Sequence, residues 1–194
     1  MITCKTITTA AGGSVHKNQA VWLSTGNGYS VPAVVVESEP VMIRLLQSNH
    51  VMQIDNVARL CARKKFNVNV EDLVEICDNC ESALLYSLQK RFENKRIYTK
   101  AGDVMIALNP YEHLSIYDDS VISLYRDQQI NALPAHIFSI AERAVCNAKN
   151  RSKNEMICFS GESGSGKTEN LLQAARYIVK ASKKRTITPE QVKK

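Results

Sequence analysis

The amino-acid sequence predicts an α/β fold in which helices flank a sheet, preceded by a small antiparallel β-barrel. Three observations predict this class. Short β-type runs separated by polar turns fill the segment from residue 15 to about residue 60. Helical periodicity and one hairpin pattern follow them. A glycine-rich segment at residues 161–168 then stands between a short apolar run and a helical pattern, which is the order strand, loop, helix.

The composition is that of a globular protein with a moderate excess of basic residues. The chain has 194 residues, of which 44% are hydrophobic, and a formal net charge of +6. This length is sufficient for one substantial core and a small satellite domain. The lysine and arginine clusters lie in apparent loops and at the chain end, so we interpret them as solvated surface and predict no nucleic-acid partner.

The distribution of cysteines and the hydropathy of the sequence indicate the cellular compartment in which we expect the protein. The six cysteines are scattered, and the sequence shows no signal peptide and no apolar run of membrane-spanning length. We therefore expect thiols in a reducing environment, a cytoplasmic location and no membrane span. Cys77 and Cys80 form a lone CxxC without the second pair that a zinc site needs, so no zinc site is predicted.

The first part of the chain predicts a leader and then the barrel. Residues 1–14 are rich in Thr, Ala, Gly and Ser without any period, which is typical of a flexible leader. The barrel is assigned to residues 15–60. Its predicted strands are at residues 20–23, 31–36, 41–46 and 51–54. Trp22 lies inside an apolar strand, so we predict a core residue and not a ligand-binding aromatic.

The region from residue 61 onward begins with a helical pattern. Ser82 is the predicted cap of this helix. The predicted apolar face consists of Leu84, Leu85, Leu88 and Phe92.

A hairpin pattern follows. Strands are predicted at residues 97–99 and 104–108, joined by a turn in which Gly102 can adopt the tight conformation. Pro110 cannot continue a central strand, so the chain leaves the sheet there. The Asn109 side chain is thus expected at the end of a strand.

Two further helices and a strand lead to the glycine-rich segment. The helices are predicted near residues 119–125 and 134–148, the second with Pro134 in its first turn. His136 has no obvious partner and is predicted to be structural. Residues 156–159 are predicted to form a buried parallel strand. A helix beginning near Lys167 has a predicted apolar face of Leu171, Leu172, Ala174, Ala175, Ile178 and Val179.

Residues 161–168 read Gly-Glu-Ser-Gly-Ser-Gly-Lys-Thr and fit the P-loop pattern. Gly161, Gly164 and Gly166 allow positive φ and a close approach of the backbone to phosphate. Successive amides and the positive end of the following helix then form an anion site. Lys167 is predicted to reach the β- and γ-phosphates, and the Thr168 hydroxyl to bind Mg²⁺. A chance glycine turn is the alternative, against which the flanking strand and helix patterns argue.

Three segments resemble the heads of myosins. They are residues 103–111, which read DVMIALNPY and are followed by Tyr117, residues 134–138, which read PAHIF, and residues 161–170, which read GESGSGKTEN. The resemblance extends from about residue 15 to the end. It implies an SH3-like barrel at residues 15–60. At residues 61–194 it implies the N-terminal part of a myosin motor domain, a P-loop NTPase fold whose mixed sheet is incomplete and flanked by helices.

The resemblance also implies an ATP site. Asn109, Pro110 and Tyr117 would form the purine segment, where asparagine offers both a donor and an acceptor and tyrosine adds a ring and a hydroxyl. The implied nucleotide-binding residues are Gly161, Glu162, Ser163, Gly164, Ser165, Gly166, Lys167, Thr168, Asn170, Asn109, Pro110 and Tyr117. ATP and Mg²⁺ are the implied cofactors, with Thr168 as the Mg²⁺ ligand. Glu112 and His113 replace the basic residues that myosins often carry at these positions.

The implied activity is ATP-driven movement along actin filaments in the cytoskeleton. The switch I, switch II and actin-binding segments of the family have no counterpart in these 194 residues. We therefore predict no catalytic residue here and expect hydrolysis and actin binding only in the full-length head. We also expect poor solubility, because the strand at residues 156–159 requires neighbours in a sheet.

Two other functions remain open from the sequence. A stand-alone P-loop phosphotransferase or NTPase would use Lys167 and Mg²⁺ to orient phosphate, although no catalytic base is visible. A non-enzymatic interaction fragment would bind partners through the barrel, for which Trp22 and the basic loops are the only support.

Overall fold

The computed structural model describes residues 15–64, 66–76, 80–126, 133–151 and 154–183. The chain divides into two compact units between Glu93 and Asn94. The predicted leader, Cys77 and the residues after 183 lie outside the described part. The domain boundaries assigned from the sequence stay predictions.

The first unit contains a five-stranded antiparallel sheet. Its strands are β1 (Ala20–Ser24), β2 (Ser30–Ser38), β3 (Val41–Leu45), β4 (Val51–Gln53) and β5 (Leu60–Ala62). The four predicted strands are confirmed as β1 to β4. The sequence did not predict β5, because three residues are too few to show a period.

The sheet has the strand order β4-β3-β2-β1-β5 and is open. The edge strands β4 and β5 do not pair with each other in the described residues, so the prediction of a closed barrel is corrected to an open sheet. Each edge strand has only three residues, which limits the hydrogen bonds that could join them. One face buries a core of Val21, Leu23, Ala33, Val35, Ile43, Ile54 and Leu60.

Trp22 is confirmed as a core residue. Its side chain is 2% exposed. The ring centroid lies 5.9 Å from that of Phe66 and 5.8 Å from that of Tyr86, and the Arg63 guanidinium lies 5.7 Å from it. These contacts join β1 to the helix α1 (Glu81–Glu93) within the same unit.

Helix α1 buries a face different from the predicted one. The buried positions are Ala83, Ser87 and Arg91, at a spacing of four residues. The predicted face was Leu84, Leu85, Leu88 and Phe92, of which Leu85 and Phe92 are exposed and the other two half-buried. Ser82 lies inside the helix and is not its cap. The spacing of the leucines predicted the wrong face, because Arg91 is buried through hydrogen bonds, and a periodicity of apolar residues does not reveal such bonds.

The second unit begins with a hairpin, as predicted. The strands are β6 (Tyr98–Ala101) and β7 (Val104–Ala107). Gly102 has φ of 62°, which is the left-handed conformation expected for this turn. The Leu108 amide donates to the Ile97 carbonyl at 2.9 Å and extends the pairing, which brings Asn109 to the strand end.

Three helices follow the hairpin. Helix α2 (Asp119–Tyr125) matches its prediction, whereas α3 (Ile137–Arg151) begins three residues after Pro134. Helix α4 (Lys167–Lys183) begins where the sequence predicts. Helix α4 packs against α3 through the Tyr177 ring, which stacks on Phe138 at 5.1 Å.

The buried face of α4 differs in part from the predicted one. Ala174, Tyr177 and Ala181 are buried, and Ile178 packs on the same core. The remaining predicted members, Leu171, Leu172, Ala175 and Val179, are exposed. The position of Tyr177 sets the buried face, because its hydroxyl donates to the Glu142 carboxylate at 2.9 Å inside the core.

The predicted strand at residues 156–159 is not formed. The segment pairs with no strand among the described residues, and Met156 is 83% exposed. A β-strand exists only where a neighbour completes its backbone hydrogen bonds, and within the described ranges the hairpin strands β6 and β7 pair only with each other. None of the described helices is both long and apolar enough to cross a membrane.

Candidate functional site

The glycine-rich loop runs directly into helix α4 and has the backbone conformation that the sequence predicts. The φ angles are 153° at Gly161, 78° at Gly164 and 89° at Gly166. A Cβ on Gly161 would lie 2.6 Å from the Ser165 hydroxyl oxygen, closer than real Cβ contacts allow. Gly161 is therefore required both by its conformation and by the space around it.

The Lys167 side chain folds back over the loop. Its ammonium donates to the Gly161 carbonyl at 2.8 Å and to the Glu162 carbonyl at 2.5 Å. Lys167 is also the first residue of α4, so its charge adds to the positive end of the helix dipole. Thr168 follows as an exposed residue in the first turn. Cationic charge and amide dipoles thus converge on the loop, which favours an anion there.

Asn109 connects the Asn-Pro segment to this loop. Its side-chain amide donates to the Gly164 carbonyl at 2.8 Å, and its amide oxygen accepts from the Tyr111 backbone N–H at 2.9 Å. The side chain also faces Gly166, where an added Cβ would lie 3.8 Å from Asn109 Cβ. The structure therefore places Asn109 directly beside the loop, 55 residues before Gly164 in sequence, and Pro110 follows it in the chain.

Tyr117 reaches the loop through a second connection that sequence reasoning missed. The Tyr98 and Tyr117 hydroxyl oxygens are 2.8 Å apart, and Tyr98 donates to Asn170 Oδ1 at 2.8 Å. Asn170 in turn donates through Nδ2 to the Gly166 carbonyl at 2.9 Å. Tyr98 is the first residue of β6, and a buried tyrosine in a strand carries no sequence signal that separates a site residue from a core residue.

The His136 ring packs against the rings of Tyr98 and Tyr117, and His136 is confirmed as structural. Its Nδ1 accepts from the Phe138 N–H at 3.1 Å, and its Nε2 lies 3.1 Å from the Ile116 carbonyl. Burial lowers the pKa of His136 to about 4, so the ring is neutral at physiological pH. Burial likewise raises the pKa of both Tyr98 and Tyr117, whose hydroxyls therefore remain protonated.

Glu112, which departs from the family pattern, has a cationic partner. Its carboxylate forms an ion pair with the Lys95 ammonium. Both side chains are largely exposed. The acidic residue therefore does not stand as an uncompensated charge next to Asn109, although solvent screens the pair.

A cavity of about 450 Å³ lies beside the loop. Gly161, Ser165 and Lys167 line it, together with apolar residues of β7 and α3 such as Met105 and Ile137. The predicted purine residues do not line it. In the described part of the chain, no group of three or more His, Cys, Asp and Glu side chains could hold a metal ion. The other predicted loop residues, Glu162 and Ser163, are exposed.

Comparisons with known proteins identify one family. The family model described as the myosin head (motor domain) matches residues 70–194. Myosin-1 of Yarrowia lipolytica is 44% identical over 119 residues, which cover 61% of this chain and 10% of that protein. Unconventional myosin heavy chain 6 of Caenorhabditis elegans is 30% identical over 190 residues, covering 92% of this chain and 9% of that protein.

A further relative, Myosin-VIIa of Drosophila melanogaster, is 37% identical over 123 residues, covering 63% of this chain and 6% of that protein. The chain thus spans about a tenth or less of the length of these relatives. The family match includes the whole glycine-rich loop and the segment from Asn109 to Tyr117. A myosin-type loop in the required conformation, its contact with the Asn-Pro segment and these matches together establish that the chain belongs to the myosin head family.

Proposed function

We propose that this chain forms the ATP-binding part of a myosin-type motor that moves on actin filaments. The observation that carries the proposal is the hydrogen bond from the Asn109 amide to the Gly164 carbonyl, which joins the purine segment to the phosphate loop. A ligand with a purine at one end and phosphates at the other matches two adjacent recognition elements of this kind. An isolated phosphate loop would not require the second element.

The phosphate end of the site consists of residues 161–168 and Asn170. Loop amides and the N-terminus of α4 would hold phosphate oxygens. The Lys167 ammonium would exchange its two carbonyl partners for the β- and γ-phosphates, a favourable exchange because a charged acceptor binds an ammonium more strongly than a neutral one. Mg²⁺ would take the Thr168 hydroxyl and phosphate oxygens as ligands, which suits a cation that uses few protein ligands.

The purine end consists of Asn109, Pro110 and Tyr117. Tyr117 is half-buried, so part of this residue remains accessible to a ligand. Hydrolysis, actin binding and a cytoskeletal location are proposed only for a full-length motor of the kind that this chain resembles. The SH3-like character of the first sheet and the P-loop NTPase class of the second unit are proposed on the same basis.

Replacing Lys167 with alanine tests phosphate binding. We expect Lys167→Ala to weaken MgATP about 10- to 100-fold, because the charged contacts to phosphate are lost. Titration with a fluorescent ATP analogue measures the dissociation constant. Lys180→Ala is the matched control, since Lys180 lies on the same helix but pairs with Asp119. Equal affinity in the Lys167 variant and the unaltered chain would refute the phosphate-loop assignment.

Replacing Asn109 with alanine tests the purine segment. We expect Asn109→Ala to weaken MgATP more than it weakens inorganic triphosphate, because only ATP carries a base. Triphosphate should also lose some affinity, since the Gly164 carbonyl loses its donor. Competition titrations with both ligands measure the two changes. If the changes are equal, Asn109 acts only by holding the loop and does not contact the purine.

A further inference from the structure

The loop between β1 and β2 carries the sequence Gly-Asn-Gly at residues 26–28. The last residue pair of the two strands is Ser24 with Ser30. Two hydrogen bonds to the Tyr29 carbonyl close the loop, one from the Thr25 N–H at 3.1 Å and one from the Thr25 hydroxyl at 2.8 Å. The base of the loop is therefore fixed, and residues 26–28 form an apex beyond the sheet.

This apex is open to solvent. Gly26, Asn27 and Gly28 are all exposed. Both glycines have φ of 83°, and a Cβ on either would meet no atom within 4 Å outside its neighbours in the chain. Among the residues that the structure describes, neither the Asn27 side chain nor the Gly28 N–H has a hydrogen-bond partner. The side-chain amide and the backbone nitrogen that follows it are thus unhindered.

An asparagine that precedes a glycine can react with its own backbone. The next backbone nitrogen loses its proton to the solvent and bonds to the side-chain amide carbon, whose bond to nitrogen breaks as ammonia leaves. The product is a succinimide ring. Water then adds to either ring carbonyl and breaks its bond to the backbone nitrogen, which gives aspartate or isoaspartate. The attack is intramolecular, so it proceeds without a catalyst, and glycine has no side chain to obstruct it.

We propose that Asn27 is a modification site at which this chain deamidates spontaneously, with isoaspartate among its products. The only reactant besides the chain is water. The isoaspartyl linkage formed here belongs to the chemical class that protein isoaspartyl methyltransferases take as substrate. The inference is independent of the proposed function, because it concerns a loop of the first unit and no nucleotide.

Other asparagines lack the features that favour this reaction at Asn27. Asn27 is the only asparagine in the 194 residues that precedes a glycine. Asn18 is also exposed, but the N–H of the following Gln19 already donates to a carbonyl at 3.1 Å and this residue carries a long side chain. Asn109 precedes a proline, whose nitrogen has no proton to lose. We therefore expect Asn27 to react first.

The reaction changes the charge and the backbone of the loop. A carboxylate replaces a neutral amide, and in isoaspartate the main chain continues through the side-chain carbon and is thereby lengthened. The hydrogen bonds of Thr25 lie below the apex, so we expect β1 and β2 to stay paired. The product should be a folded chain with an added negative charge, which ion-exchange chromatography separates from the parent chain.

The unaltered chain provides the first test. It is incubated in water enriched in heavy oxygen and then digested in ordinary water with chymotrypsin, which cleaves after Leu23 and Tyr29 and so separates Asn27 from Asn18. Mass spectrometry should find heavy oxygen at Asn27 first, and more of it at mildly alkaline than at neutral pH, because the attacking nitrogen must lose a proton. An isoaspartyl methyltransferase should methylate the same peptide.

Two results of this test would overturn the inference. One is an Asn27 peptide that takes up no heavy oxygen, or takes it up no faster than the Asn18 peptide. The other is uptake without any methylation, since direct hydrolysis of the side-chain amide gives aspartate alone. Neither result depends on whether a variant folds.

The two glycines of the loop provide matched variants. Gly28→Ala places a methyl group beside the attacking nitrogen and should slow deamidation of Asn27 about tenfold or more. Gly26→Ala introduces the same backbone strain in equally open surroundings but leaves that nitrogen unobstructed, so the rate should stay close to that of the unaltered chain. Equal rates in the two variants would overturn the inference, because the attack by the Gly28 nitrogen would then not control the reaction.

Discussion

The imidazole of His136 holds two backbone segments at once. It accepts the Phe138 N–H at the start of α3 and donates to the Ile116 carbonyl in the segment before α2. The side chain is 6% exposed, and burial lowers its pKa from 6.5 to about 4. Protonation would place a second N–H against the Phe138 N–H, which removes the acceptor for this helix end.

This lowered pKa predicts acid sensitivity of the second unit. The unfolded chain takes up a proton at His136 near pH 6.5, whereas the folded chain does so only near pH 4. Stability is therefore complete above pH 6.5 and declines as the pH falls from 6.5 to 4, by about 3 kcal/mol in total. Urea unfolding followed by near-UV circular dichroism of the tyrosines measures this slope.

A glutamine at this position is the control for the pH effect. His136→Gln keeps one donor and one acceptor but cannot ionise, so the decline between pH 6.5 and 4 should disappear. The salt bridges of Asp119 lower the pKa of that carboxyl below 3.8, so its contribution changes only at still lower pH. A decline of the same size in the glutamine variant would show that other groups cause it.

At the scale of elements, α1 shows how one polar residue can orient a helix. The Arg91 guanidinium is 2% exposed. It donates to the Val70 carbonyl at 2.8 Å and to both carboxylate oxygens of Glu71 at 3.2 and 3.1 Å. The bonds use the planar fork of arginine, which explains why this face of the helix is buried and the leucine face only partly so.

Replacing Arg91 with alanine should therefore destabilise the first unit. We expect Arg91→Ala to lower the free energy of unfolding by about 2–4 kcal/mol, because the Val70 carbonyl loses a buried partner and the side chain leaves a void. Arg91→Lys should recover only part of this loss, since an ammonium cannot form the fork. The chain has one tryptophan, Trp22, so its fluorescence during urea unfolding reports on this unit.

The neighbouring residue is a matched control. Lys90 pairs with Glu93 at 2.7 Å on the partly exposed side of the same helix. Lys90→Ala should lower the free energy of unfolding by about 0.5 kcal/mol or less, as is usual for exposed pairs in helices. Similar losses for the Lys90 and Arg91 variants would contradict the assigned role of the buried fork.

At the scale of the whole molecule, the second unit has an apolar groove with exposed side chains in its lining. A groove of about 530 Å³ is lined by Ile157 and Phe159 and by Leu171 and Ile178 of α4. Leu171 is 51% exposed. Leu172, the next residue in the chain, is 58% exposed. Met156, the first residue of the segment 156–159, is 83% exposed. Apolar surface gathered in this way promotes association in water.

The chain should therefore self-associate as its concentration rises. We expect the weight-average sedimentation coefficient to increase with concentration, and Leu171→Lys to reduce that increase, because it places a charge in the groove. Val74→Lys is the control, since Val74 is 71% exposed in the first unit and should have no such effect. A sedimentation coefficient that does not change with concentration in the unaltered chain would contradict this prediction.

Local features of the fold could be predicted from the sequence. Strands β1 to β4, the hairpin, the start of α4 and the positive φ angles of the loop glycines all depend on neighbours within a few residues. The glycine-rich loop could be assigned for the same reason, because its spacing, its lysine and the helix after it are contiguous. Helix faces were less predictable, since the burial of Arg91 and Tyr177 depends on polar partners on other elements.

The sequence by itself determined the glycine-rich loop before α4 and the family resemblance, because these depend on residues adjacent in the chain. Only the tertiary structure decided that Tyr98 joins Tyr117 to Asn170, a contact across 72 residues that leaves no period or motif. It also decided that residues 156–159 form no strand, since strand formation depends on a paired neighbour and not on apolar composition. The physical reason is that hydrogen-bond partners distant in sequence are chosen by packing, which local residue patterns do not encode.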